Sequence, residues 1–225
     1  QTDVLLALDQ FMLNFTRTAR SEPLDAILVS LTLLGDERFL YCSFFIFVGI
    51  LVIQKRHMAA LHIIIGGLST AALTHALKYG FAISRPEFVQ YTPSSYAYPS
   101  GHSSGAVILY GLIASFIAQE KTQTQRWKIY LILSTPITLI ALSRVLLGVH
   151  WLSDIIGGVL LGLTLCAATR VFYSRYLKTE QRKMKLNILL NKRLAIIGFC
   201  LWLMLCAAYQ TSYFSMTLAK FQVLH

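Results

Sequence analysis

The sequence predicts an all-α protein, a six-helix transmembrane bundle with short N-terminal interfacial helices, and three observations carry that reading. Hydrophobic residues fill 56% of the 225 positions and charged residues only 13%, about half of the roughly 25% usual in a soluble domain. Apolar runs approach the ~20 residues that cross a bilayer several times along the chain. The basic residues behind the net charge of +10 sit in short gaps between those runs. Such gaps fit membrane loops better than a nucleic-acid groove, so no nucleic-acid partner is expected.

Taken in order, residues 1–35 hold two apolar pieces, 4–15 and 24–34, each too short to span. They read as amphipathic helices lying in the interface, with Pro23 near the start of the second and Gly35 just past its end. Six segments of spanning character follow at 38–53, 58–77, 104–118, 129–147, 155–173 and 194–209. Each must be helical, because lipid offers no partner to a free backbone N–H or C=O. Some are short, and flanking polar residues extend them. All of 1–225 reads as one integral-membrane domain. Gly158 and Gly162 are spaced for close helix packing, and Gly101 and Gly105 repeat the spacing. Cys42, Cys166, Cys200 and Cys206 fall inside apolar stretches without metal-ligand spacing and read as small buried hydrophobes.

Orientation follows from the loops. Lys55 and Arg56, then Lys121, Arg126 and Lys128, then eight basic residues between 170 and 193 mark three cytoplasmic connections. Of the acidic residues only Glu120 and Glu180 fall on that side. The regions 78–103 and 148–154 then share the opposite, external face. An external N-terminus with no span ahead of it implies an upstream membrane segment or a removed signal.

Three clusters on the external face carry chemistry. They are Lys78 to Arg85-Pro86, then Pro99-Ser100-Gly101-His102, then Ser143-Arg144 with His150 and Asp154. Lys78, Arg85 and Arg144 supply three fixed cations, and guanidinium groups match phosphate oxygens two at a time. Ser100 and Gly101 precede a helix whose free N–H groups face outward, an anion site by geometry. His150 and Asp154 are four apart, so on a helix they share a face. The carboxylate then fixes the tautomer and leaves the other ring nitrogen free to attack. His102, from another helix, is free to act as general acid on the leaving oxygen. Positioning and charge neutralisation are what phosphoryl transfer needs. Two-metal hydrolysis needs several carboxylates, whereas only Glu87 and Asp154 lie near the clusters, so neither a metal nor another cofactor is expected.

These clusters resemble the three signature motifs of the type 2 phosphatidic acid phosphatase superfamily, which includes bacterial lipid phosphatases and vanadium haloperoxidases. The match reads lysine, six residues, Arg-Pro; Pro-Ser-Gly-His; Ser-Arg, five residues, His, three residues, Asp, all between Lys78 and Asp154. The resemblance implies a six-helix bundle in a bacterial inner membrane, with an active site facing the periplasm or cell exterior. It implies metal-independent dephosphorylation with His150 as nucleophile, Asp154 as its partner and His102 as acid. Lys78, Arg85, Ser100, Gly101 and Arg144 would hold the phosphate; Ser143 has no assigned role. The stretches 24–35 and 96–102 are similar to phosphatase domains fused behind a DedA-type membrane domain, which implies such a domain upstream.

The expected function is therefore a lipid phosphate or diphosphate phosphatase in contact with membrane lipids. Undecaprenyl diphosphate, phosphatidylglycerol phosphate and phosphatidic acid are the candidate substrates. A lipid phosphotransferase using the same phosphohistidine is the nearest alternative, and a haloperoxidase is disfavoured by the membrane setting. A phosphate-binding transporter or idle scaffold is a further one, disfavoured because the ionisable residues gather at one face rather than mid-membrane. His75 reads either as facing the site or as a hydrogen-bonded helix histidine. Tyr91, Tyr96 and Tyr98 read as headgroup contacts or interfacial anchors, and Glu87 as a charge near the site or a solvated residue.

Overall fold

The computed structural model describes residues 3–89, 94–119, 121–180 and 192–221. Within them the chain forms eight helices and no β-sheet: α1 (Asp3–Ala19), α2 (Glu22–Leu33), α3 (Glu37–Ile53), α4 (His57–Phe81), α5 (Gly101–Ala118), α6 (Gln123–Leu146), α7 (Leu152–Glu180) and α8 (Lys192–Lys220). Five of them, α4 to α8, are long and apolar enough to cross a membrane, while α3 has 17 residues and falls short of that length. The chain is thus a multi-pass, nearly all-helical membrane protein.

The helix starts are written in local chemistry. Asp36 caps α3 by accepting from the Arg38 N–H at 3.0 Å, and it also accepts from the hydroxyl of Tyr209 on α8. Ser100 caps α5, its Oγ accepting from the Ser103 N–H at 3.4 Å. Thr122 and Gln125 form a reciprocal capping box at the start of α6. Helix α4 stops where Ala82 turns left-handed, at φ 48°.

Helix α5 is the centre of the bundle, with α6, α7, α4 and α3 packed around it. Glycines bring α7 against it: a Cβ on Gly158 would meet the Ser100 carbonyl at 2.6 Å, and one on Gly162 would meet Val107 Cβ at 2.6 Å. The predicted packing role of that pair is observed. Gly105 likewise admits the Leu40 side chain, whereas Gly101 meets nothing closer than 3.7 Å. The outer faces stay apolar, with Phe45 and Leu131 each 71% exposed. Water would penalise such a surface and a lipid environment matches it.

Helix α1 buries Asp9, Leu13 and Thr16 along one stripe against α6 and α7, and exposes Val4, Phe11 and Phe15 on the other. Helix α2 packs on α6 and α8. Arg20, in the turn between them, makes a two-pronged ion pair with Asp25 at 2.8 and 2.7 Å. It also donates to the carbonyls of Leu147 and Phe221. The N-terminal pair is thereby tied to the α6–α7 turn and to the end of α8.

Several expectations need correcting. Helix α5 starts at Gly101, three positions before the expected 104, because the Ser100 cap lets the helix begin inside the Pro-Ser-Gly-His motif. Helix α8 runs on to Lys220 rather than ending at 209, since its last turns pack apolar side chains beside α2. Cys42 and Cys200 are exposed rather than buried, lying on outward apolar faces. Glu120, part of the expected cytoplasmic side, and Tyr91 lie outside the described residues, as do residues 181–191 of the 170–193 connection.

Candidate active site

Antiparallel alternation of the helices brings the ends of α4 and α6 and the starts of α5 and α7 to one end of the bundle. All three motifs therefore meet. Lys78 sits in the last turn of α4, with Nζ donating to the carbonyl oxygens of Tyr96 at 2.5 Å and Ala97 at 3.3 Å. Arg85, in the connection after α4, donates through Nε to Ser95 O at 2.8 Å and through Nη2 to Ser95 Oγ at 3.1 Å. Its Nη1 reaches across to Val149 O and His150 Nε2, both at 2.9 Å.

His150 does not lie on a helix, contrary to the expected shared face with Asp154. It sits in the turn 147–151, where Gly148 takes φ 70° and packs against Phe88 so tightly that a Cβ there would come within 2.0 Å of the ring. Helix α7 starts only at Leu152. The pairing nonetheless forms, His150 Nδ1 lying 3.1 Å from Asp154 Oδ2, which also accepts the Trp151 N–H at 2.8 Å. The neighbours fix the tautomer. A guanidinium can only donate, so Nε2 must be an acceptor; a carboxylate accepts, so Nδ1 carries the proton. Nε2 thus presents its lone pair toward the cations.

Electrostatics reinforce that state. Burial first, then the charges of Arg85, Arg144 and Lys78 and the nearby His102, hold the His150 imidazole well below its usual range. It is held in the neutral form.

Arg144 is 4% exposed. One guanidinium nitrogen donates to Thr32 Oγ1 at 2.8 Å, and the plane lies over the Phe221 ring at 5.7 Å. Its Nε is buried and has no hydrogen-bond partner among the described residues, an unmet donor of the kind that an anion satisfies. The Ser100 N–H donates to Asp154 O at 3.0 Å, locking the start of α5 to the start of α7. Gly101 and His102 form the first turn of α5 beside them. Ser143 turns its hydroxyl back to Ile140 O at 2.7 Å, away from chemistry. Among the described residues, no group of three or more His, Cys, Asp or Glu is placed to hold a metal ion.

The sequence reading missed a layer supplied by α1, α2 and the turn after them. Asp9, 2% exposed, accepts from Ser153 N at 2.9 Å and from Ser153 Oγ at 2.7 Å, next to Asp154. Thr32 supports Arg144. Gly35 passes so close to His102 that a Cβ would lie 3.2 Å from its Cδ2. The signal for Asp9 was present, as a lone carboxylate in an apolar amphipathic stretch is costly beside a membrane unless it has a task. Asp9→Ala is expected to destabilise the protein by about 1–3 kcal/mol and to cut kcat by about 10-fold. Asp9→Asn, which keeps an acceptor for the Ser153 N–H, should recover most of both. Thermal unfolding and steady-state kinetics of the two variants check this.

Beside the cradle, a cavity of about 560 Å³ opens between α3, α4 and α5. Glu37, His75, Lys78 and Gly101 line its polar end, and Phe44, Ile64, Ile108 and Leu109 line its apolar part. His75 is exposed there, with its ring tilted against that of Tyr79 at 4.7 Å between centroids, and it makes no hydrogen bond among the described residues, so the expected hydrogen-bonded helix histidine is not what forms there. Tyr96 lies edge-on to Tyr79 and gives its carbonyl to Lys78 and Arg85, while Tyr98 packs on Phe81. Glu87 is exposed.

A helical membrane bundle with two histidines and three cations gathered at one end defines a class of phosphate-handling membrane proteins. Comparison with known proteins narrows it. The sequence model of the PAP2 superfamily matches residues 59–178, more than half of the chain. The chain belongs to this superfamily. It is 28% identical over 185 residues to phosphatidylglycerophosphatase B of Bacillus subtilis (strain 168), covering 80% of this chain and 91% of that protein. It is 30% identical over 120 residues to an undecaprenyl-diphosphatase of Sulfolobus acidocaldarius, covering 50% of this chain and 54% of the relative. Among solved structures, the transmembrane PAP2-type phosphatidylglycerolphosphate phosphatase of Bacillus subtilis superposes with a TM-score of 0.70 at 27% identity, over 78% of this chain and 89% of that one. Aquifex aeolicus LpxE shares the fold, with a TM-score of 0.52 at 22% identity over 73% of this chain and 93% of its own.

Proposed function

We propose that the chain is a metal-independent lipid phosphate or diphosphate phosphatase working through a phosphohistidine at His150. Family membership makes it a lipid phosphatase, a hydrolase; the intermediate, the residue roles and the substrate are the finer reading. The observation that carries it is the neutral His150, with Nδ1–H on Asp154 and Nε2 aimed at Arg85.

The chemistry follows from those positions. Lys78, Arg85, Arg144, the Gly101 amide and the Ser100 hydroxyl take the phosphoryl oxygens, so the charge that builds in the transition state meets donors already in place. The Nε2 lone pair forms the N–P bond as the bond from phosphorus to the leaving oxygen breaks. Asp154 stabilises the imidazolium character that develops on His150. His102 gives its proton to the leaving alcohol or phosphate. It then takes one from water, whose oxygen displaces the histidine and releases inorganic phosphate. Three fixed cations do the work of charge neutralisation, and they would repel a divalent ion from the same place.

The apolar cavity continuous with the cradle suits a lipid tail, which supports a lipid over a soluble ester. Undecaprenyl diphosphate, phosphatidylglycerol phosphate and phosphatidic acid remain the candidate substrates. In this reading 1–225 is one integral-membrane domain in which α3 joins α4 to α8 as a sixth span. Helices α1 and α2 lie at the interface, their apolar outer faces toward lipid. The basic segments at 54–56 and 121–128 face the cytoplasm of a bacterial inner membrane, and the site faces the periplasm or cell exterior. The purified chain is expected to release phosphate from lipid phosphates with undiminished rate in excess EDTA. Inactivity across a panel of prenyl and glycerol lipid phosphates, or loss of activity in chelator, would contradict it.

A further inference from the structure

Glu37 is a carboxylate where an anion site would seem to forbid one. It opens α3, and its Oε1 comes within 3.7 Å of the position a Cβ on Gly101 would take. It lines the polar end of the apolar cavity together with Lys78, His75 and Gly101. Among the described residues it has neither a salt bridge nor a hydrogen bond. Its neighbour Asp36 already caps the helix and holds Tyr209, so Glu37 is not needed for that task. It also stands before the segment that matches the superfamily, residues 59–178, and so outside the shared motifs.

Its place decides what it meets. On the phosphatase reading the transferred phosphoryl group lies among Lys78, Arg85 and Arg144, and the cavity between α3, α4 and α5, lined by Phe44 and Ile108, takes the apolar tail. Glu37 stands between the two, beside Lys78 and Gly101, so on that reading it faces whatever is bonded to the leaving oxygen. In a lipid diphosphate that next group is a second phosphate, an anion beside an anion. In a phosphomonoester of a polyol it is a neutral carbon whose neighbouring carbon bears a hydroxyl, which can donate to a carboxylate.

We infer that Glu37 sets substrate choice: it favours a lipid whose terminal phosphate is esterified to a hydroxyl-bearing alcohol and disfavours a lipid diphosphate. The inference rests on the phosphatase reading above. A carboxylate against a partner's anion acts as a repulsive selector, and one against a hydroxyl as an acceptor. Both effects shift the same ratio in the same direction.

The experiment compares kcat/KM on dioleoyl phosphatidylglycerol phosphate and on undecaprenyl diphosphate in mixed detergent micelles, for the parent chain and for E37Q. The parent should prefer the glycerol phosphate lipid. In E37Q the ratio should move about 10-fold or more toward the diphosphate, with KM for the diphosphate falling and the activity on the glycerol lipid declining. E37S removes the same charge with a residue suited to a helix start, and should shift the ratio in the same sense if E37Q does not survive purification. A helix-terminal acid acting only on stability would change both activities alike and leave the ratio fixed. An active E37Q or E37S with its ratio unchanged within about twofold overturns the inference alone. A parent inactive on both lipids overturns the phosphatase reading, and this inference with it.

Discussion

Replacing His150 with Ala is expected to lower kcat/KM by at least about 10⁴-fold while leaving the protein folded. The nucleophile cannot be lent by a neighbour. His102 is placed at the start of α5, and the Asp154 carboxylate is already engaged by Trp151 N–H and by His150 itself. The change removes a ring from a turn whose conformation is held by other contacts, namely Gly148 on Phe88 and Arg20 on Leu147 O. Phosphate and vanadate should therefore still bind, because the cations that hold them remain. Steady-state kinetics with isothermal titration of vanadate separates the two effects. Loss of vanadate binding in step with activity would mean that His150 is structural.

Arg85 is expected to give the second-largest effect. One guanidinium joins Ser95, Tyr96, Val149 and His150, so it both shapes the 94–97 segment and stands where a phosphoryl oxygen must arrive. Lysine keeps the charge but replaces a planar fork with a single ammonium. Arg85→Lys should lose about 10²–10³-fold in kcat/KM, with both kcat and KM affected, and Arg85→Ala should lose more and be partly restored by added guanidinium. The sign of the pH effect is fixed too. Arg85 is the largest charge contribution after burial to the depressed pKa of His150. Removing it raises that pKa, so the acid limb of kcat/KM in Arg85→Ala should move to higher pH, while Arg85→Lys should keep the parent's limb. A pH profile that does not move in Arg85→Ala would show that the two side chains are uncoupled in solution.

The sequence made the spans and the site legible for different reasons. Helices α4 to α8 are written in long apolar runs, a local signal that survives any tertiary context. The site was readable because chemistry demands particular residue types at particular spacings, and alternation of helices then brings those types to one end. What stayed hidden depends on partners far away in sequence. Asp9 meets Ser153, and Thr32 meets Arg144, across more than a hundred residues, and no periodicity announces such pairs. The helical reading of His150 and Asp154 failed because a spacing of four also fits a turn closed by an Asp side chain on the Trp151 N–H. Nothing in the sequence set Glu37 apart, and only the packing of α3 beside α5 brings it near Gly101 and into the cavity lining.

The most direct test is to catch the covalent intermediate. Parent enzyme mixed with a lipid carrying a ³²P-labelled terminal phosphate and quenched within milliseconds in alkali should hold label on one peptide, at His150. That label should survive alkali, be lost in mild acid as a phosphoramidate is, form equally in EDTA, and be absent from His150→Ala. Label on another residue, or an enzyme that turns over at full rate without ever becoming labelled, would contradict the account.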